Sequence, residues 1–94
     1  MKKSELIEKL SERFPHIAHA DIEKIVNTMI ERIIEALKQD DRIEIRGFGS
    51  LFVKLRKGRE ARNPKTGVRL MIDAKHVPFF KAGKELKELV NKNV

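Results

Sequence analysis

Residues 54–69 read KLRKGREARNPKTGVR, and this stretch decides how the chain folds. Seven of its side chains are Lys or Arg, and one, Glu60, is acidic. At its centre Asn63-Pro64-Lys65-Thr66-Gly67 carries a β-turn signature, with Pro pre-setting φ and Gly closing the turn. Leu51, Val53 and Leu55 alternate before it, and Val68, Leu70 and Ile72 alternate after it, as in strands. The pattern is that of a long β-hairpin whose outer half is too charged to fold onto a core. A basic ribbon extending into solvent needs a polyanion to lie against, and DNA is the leading candidate.

Working outward, Arg42-Ile43-Glu44-Ile45-Arg46 alternates as a strand. Gly47-Phe48-Gly49 follows as a turn that throws Phe48 inward. Ser50–Arg56 makes a second strand and Lys75–Phe79 a third, with Val77 and Phe79 facing one way. Pro78 places that third strand at a sheet edge or a bulge. A short helix over 84–91 carries Leu86, Leu89 and Val90. On the N-terminal side, Leu6, Ile7, Leu10 and Phe14 share one face of a helix over 4–14, which Pro15 ends. Its N-cap is Lys3 or Ser4, and Ser4 has the better capping side chain. A longer helix over 19–39 bears a wide apolar stripe: Ile22, Ile25, Val26, Met29, Ile30, Ile33 and Leu37, with Ile34 at its edge.

The order ααβββα predicts an α+β fold. It has two N-terminal helices, a three-stranded antiparallel sheet with a protruding β-ribbon arm, and a short C-terminal helix. The 94 residues make one domain, with 1–53 and 74–94 as its body and 54–73 as the arm. A body this small buries little surface, so a core shared with a second chain is expected. Ile25, Met29, Ile30, Ile33, Phe48, Phe52 and Phe79 are its candidate residues.

Charge separates along the chain. Residues 1–41 hold seven basic and nine acidic side chains, and residues 42–94 hold fourteen and five, which together give the net +7. A cation-rich half on a mixed half is the footprint of a nucleic-acid binder, and a basic surface kept for solubility is the plainer alternative. The absence of Cys excludes disulfides and thiolate metal sites. No apolar run is long enough to span a membrane, and residues 1–14 are too charged for a secretory signal, so a cytoplasmic protein is expected. His16-x-x-His19 lacks an evident third ligand and reads as surface histidine. No nucleophile–base constellation or glycine-rich nucleotide loop is visible, so neither an enzyme nor a cofactor is expected.

Arg56, Lys57, Arg59, Arg62, Lys65 and Arg69 lie on both limbs of the hairpin, with Lys54 and Lys75 at its root. Together with Asn63 at the tip they are candidate DNA contacts, although charge runs are usually solvated faces. Pro64 is either a plain turn residue or a flat, rigid wedge at the end of a ribbon. Glu44 and Arg46 share one strand face, where Glu44 either forms an exposed ion pair or aims the Arg46 fork at a groove. Lys3, Lys81 and Lys84 sit near helix starts, where free N–H groups also attract phosphate.

Three motifs carry a resemblance that covers the whole chain in its element order: Ile45-Arg46-Gly47-Phe48-Gly49-Ser50, Arg62-Asn63-Pro64-Lys65-Thr66-Gly67, and Pro78-x-Phe80-Lys81-x-Gly83-Lys84-Glu85-Leu86. In these the chain resembles the HU/integration host factor family of bacterial DNA-bending proteins. Minor-groove binding with wedge insertion is that family's known mode of action, not a product of the spacing here. The resemblance implies an intertwined dimer with two arms reaching around DNA, and Pro64, beside Arg62, intercalating between base pairs. It implies roles in nucleoid organisation, recombination, replication and transcription control. Arg42–Arg46 is more like the integration host factor beta subunit, where positions matching Glu44 and Arg46 are linked to sequence preference. That branch implies a related alpha subunit as partner. An HU-like homodimer with little sequence preference is the alternative. A rival of another class is a protein-interaction module whose basic hairpin docks an acidic protein. Ala82, where the family commonly has Pro, and Glu60 within the arm depart from the pattern.

Overall fold

The computed structural model describes residues 1–92, which divide after Glu35 into two compact units. The first unit is a helical hairpin. Helix α1 spans Lys3–Arg13, with Glu5 in its first turn and Arg13 in its last, each complementing the helix dipole. Its N-cap is Lys2, not Lys3 or Ser4, and no side chain caps it. The backbone explains the shift: the Leu6 N–H already bonds the Lys2 carbonyl at 3.1 Å, so Ser4 lies inside the first turn. The Phe14 N–H closes the last turn on the Leu10 carbonyl, and Pro15 follows. Helix α2 spans His19–Lys38. Ile7, Ile22 and Val26 form the buried core of this hairpin, with Leu10 and Ile17 packed against it. On the rest of the α2 stripe Ile25, Met29, Ile30 and Ile34 remain exposed.

From Ala36 onward the second unit begins with the end of α2. The Asp41 N–H bonds the Ala36 carbonyl and the Asp40 N–H bonds the Leu37 carbonyl. Asp40 sits between them at φ 58°, making a Schellman stop without glycine. Strands β1 (Ile43–Ile45), β2 (Gly49–Arg56) and β5 (Lys75–Ala82) form an antiparallel sheet in the order β1-β2-β5. The third strand runs three residues past its expected end at Phe79, because Gly49, Ser50 and Leu51 continue to pair with Ala82, Lys81 and Phe80. Pro78 lies on this edge strand opposite Val53, where its missing N–H costs least. Helix α3 (Lys84–Asn91) follows directly from the Gly83 N-cap. Leu86 is half-buried, while Leu89 and Val90 are exposed.

The arm is a ladder of its own, β3 (Arg59–Arg62) against β4 (Arg69–Ile72). The expected continuous ribbon is therefore interrupted. Pairing stops at Arg56↔Lys75 and resumes at Arg59↔Ile72 without a slip in register. The skipped positions are Lys57-Gly58 on one side and Asp73-Ala74 on the other; Gly, Asp and Ala are poor strand formers. At Gly58 the chains approach so closely that a Cβ would stand 2.8 Å from the Ile72 carbonyl oxygen. No helix among the described residues is long and apolar enough to cross a membrane.

Candidate nucleic-acid interface

Strand alternation sorts the second unit's side chains onto two faces. Ile43, Leu51, Val53, Leu55 and Phe80 share the apolar face, as the register requires. Phe48, expected inward, is 45% exposed and leans on Phe80, with ring centroids 5.1 Å apart. Glu44, Phe52, Lys54, Arg56, Lys75, Phe79 and Lys81 share the opposite face, and Arg42 joins them by reaching over the Phe52 ring. Phe52 and Phe79, two of the candidate residues for a shared core, thus lie on the opposite face of the sheet from Leu51 and Phe80. They are cross-strand partners, 6.3 Å apart, surrounded by cations. The reason is parity. Leu51 and Phe80, each one residue away, take the apolar side, and a one-residue offset exchanges the faces.

Arg42, Lys54, Arg56, Lys75 and Lys81 are all exposed. Near one end of the sheet, Arg42, Ser50, Lys81, Lys84 and Lys87, with the single acid Glu88, line an open depression of about 450 Å³ beside Gly83. The first-turn N–H groups of α3 lie at the same place, so lysines and helix dipole both favour an anion there. Glu44 forms an ion pair with Arg42, Nε to carboxylate 2.9 Å. The reading that Glu44 aims Arg46 is not what the free chain shows, since Arg46 falls beyond β1 in the turn. Lys3 belongs to the helical hairpin, where its Nζ donates to Asn27 Oδ1 at 2.8 Å. His19 donates to Glu8 at 3.0 Å in the same unit. No cluster of three metal-ligating side chains occurs among the described residues.

In the arm, Arg62 stands directly opposite Arg69. Like charges so placed repel, and Glu60 answers by binding Arg69 Nε at 3.2 Å. The tip is built by Asn63: its side-chain oxygen accepts the Lys65 N–H, and its carbonyl accepts the Gly67 N–H at 2.8 Å. Gly67 closes the turn at φ 70°. This leaves Pro64 exposed at the end of the ribbon, flanked by Arg62 and Lys65. Two features escaped the sequence pattern. One is the aromatic–cation face, for which a count of residue parity around Leu51 and Phe52 would have been the signal. The other is the exposure of the returning limb's apolar residues, Val68, Leu70 and Ile72, together with Met71.

A small α+β unit whose sheet and protruding hairpin both present cations has the make-up of a nucleic-acid-binding protein. The chain belongs to the bacterial DNA-binding protein family, the HU and integration host factor type, whose model matches residues 1–91. It is similar to Anabaena HU in a cocrystal structure with DNA, at 37% identity over 97% of this chain and 98% of that one, TM-score 0.86. It is also similar to HU from Thermotoga maritima, at 32% identity over 97% of this chain and 100% of that one, TM-score 0.67. A mutant of transcription factor 1, at 24% identity over 98% of this chain and 92% of that one, shares the fold with a TM-score of 0.64.

Proposed function

We propose that the protein is an architectural factor that grips duplex DNA with its arm in the minor groove and bends it sharply. One observation carries this: an exposed, rigid Pro64 stands at the tip of a ribbon lined by Arg59, Arg62, Lys65 and Arg69. Arg56, Lys57, Lys54 and Lys75 at the root, Lys81 and Lys84 beside α3, and Arg46 and Lys3 supply backbone contacts. Asn63 shapes the tip. Unstacking a base step costs a few kcal/mol, and the additional phosphate contacts along a bent duplex offset it. The work is that of the family's architectural members: organising the nucleoid, recombination, replication and transcription control.

The working form is a dimer. Ile25, Met29, Ile30, Ile34, Ile45, Phe48 and Phe80 are each at least 39% exposed in the single chain, and that much apolar surface calls for a partner. Arg42-Ile43-Glu44-Ile45-Arg46 favours a beta-type subunit paired with a related alpha chain, and a homodimer is the other assembly. The mass of the purified chain in solution, alone and with an alpha-type chain, separates the two. The exposed Leu70, Met71 and Ile72 lend some weight to a protein-docking hairpin, but they lie along the limb and not at the tip.

Pro64→Ala is the deciding variant. The arm keeps its charges, so attraction to phosphate persists, while the ring that holds a base step open is lost. End-to-end distance by resonance energy transfer should report a smaller bend. The affinity loss should be larger on intact duplex than on nicked or mismatched duplex. An unchanged bend and unchanged relative affinity would reduce Pro64 to a turn residue.

A further inference from the structure

The Phe52–Phe79 pair has no task in the bending mechanism. The two rings lie on the cationic side of the sheet in near-parallel planes, 17° apart with centroids separated by 6.3 Å. Both are half-buried. Long cationic side chains cover their faces: Arg42 lies 5.1 Å and Lys54 5.7 Å from the Phe52 centroid, and Lys54 5.3 Å and Arg56 5.5 Å from the Phe79 centroid. We propose that Phe52 and Phe79 form a stacking platform for unpaired bases of single-stranded DNA, with Arg42, Lys54 and Arg56 holding the adjoining phosphates.

Three arguments select this occupant. Paired bases in a duplex present edges to a protein, whereas only unpaired bases offer faces to a ring. Successive duplex bases rise about 3.4 Å along a strand. Rings 6.3 Å apart therefore suit neighbouring bases that have separated from each other. Finally, the exchange is favourable. A base stacked on an aromatic ring is worth about five- to 150-fold in binding. Each cation over a ring is worth about two- to fivefold, so the two over each ring are together worth about five- to 30-fold, within the range of one stacked base. A base can therefore displace the cations from the rings. Their flexible stems let the freed charges turn to the strand's phosphates, so the electrostatic attraction is kept.

The test compares a labelled oligothymidylate with a duplex of equal length, for the wild type, Phe52→Leu/Phe79→Leu and Phe52→Tyr/Phe79→Tyr. The expected result is a loss of about tenfold or more on the oligothymidylate for the Leu variant. Its duplex affinity should stay within about twofold, and the Tyr variant should retain wild-type binding on both. An equal loss on both substrates would mean that the rings only hold the cations in place, and it would overturn the proposal. No loss on the oligothymidylate would do the same. A second measurement does not depend on how the variants fold: 5-iodouracil in the single strand, irradiated on the wild-type protein, should cross-link to Phe52 or Phe79. Cross-links confined to the arm would overturn the proposal. Pro64→Ala should leave oligothymidylate affinity unchanged, so failure of the platform and failure of the bending mechanism are read separately.

Discussion

One hairpin is built twice in this chain, with opposite results. The root ladder, Gly49–Arg56 against Lys75–Ala82, holds eight paired positions, with an apolar face on one side and a ring pair under cations on the other. The arm ladder, Arg59–Arg62 against Arg69–Ile72, holds four, and every residue of its returning strand is exposed. The register is the same, so hydrogen-bond geometry does not distinguish them. Side chains do. At the root, Phe52 opposes Phe79 and Leu51 opposes Phe80; in the arm, Arg62 opposes Arg69. Apolar and aromatic pairs stabilise a ladder and like charges loosen it. The root is therefore held from within, and the arm awaits a counter-charge from outside.

That contrast has its largest consequence in salt dependence. If the arm and the cationic face together neutralise roughly 6–10 phosphates, duplex affinity should fall about 10³- to 10⁵-fold between 50 and 200 mM salt. A titration showing a flat response would remove DNA as the arm's counter-charge and favour an apolar docking role for Leu70 and Met71.

Limited trypsin digestion probes the same difference without DNA. An isolated two-stranded ribbon is marginal in water, so cleavage should begin within Arg59–Lys65, with the root and helices cut much later. Duplex DNA should protect the arm. Simultaneous cleavage of arm and root in the free protein would show that the two ladders are equally ordered.

Two glycine substitutions sharpen the contrast. At Gly49, φ is +156° and a Cβ would run into the Lys81 carbonyl oxygen and the Phe80 ring. Gly49→Ala should cost about 1–3 kcal/mol and lower the melting midpoint by several degrees. At Gly67, φ is +70° but nothing lies within 4 Å. Gly67→Ala adds only left-handed strain of about 1–2 kcal/mol, confined to the arm, so calorimetry should find the main transition unmoved. A matching drop for both variants would mean that the arm melts with the root.

The smallest effect concerns Glu60. It occupies Arg69 in the free arm, with both side chains more than half exposed, so the pair itself contributes little. Glu60→Gln frees Arg69 for phosphate and removes one of the arm's two negative charges, the other being Asp73 at its root. Duplex affinity should rise about two- to fivefold, with a slightly steeper salt slope. Weaker binding would show instead that Glu60 holds the arm in its DNA-ready shape.

Much of this molecule is legible in local sequence. Pro15 and the spacing from Ile22 to Leu37 place the helices, because helix periodicity and a missing N–H act within a few residues. Alternation from Ile43 to Leu55 and the Asn63–Gly67 signature place the strands and the exposed tip, and charge placement marks the cationic half. What the sequence could not decide depended on partners distant in the chain. The interruption beside Gly58 requires knowing that Asp73-Ala74 stands across from it. The stop of α2 at Asp40 depends on a left-handed residue that is not glycine. Phe52 and Phe79 read as core residues because both are large and apolar. Only the register of β2 against β5 and the reach of Arg42 put them together under cations, since a strand's face is set by its neighbours' pairing and not by its own composition.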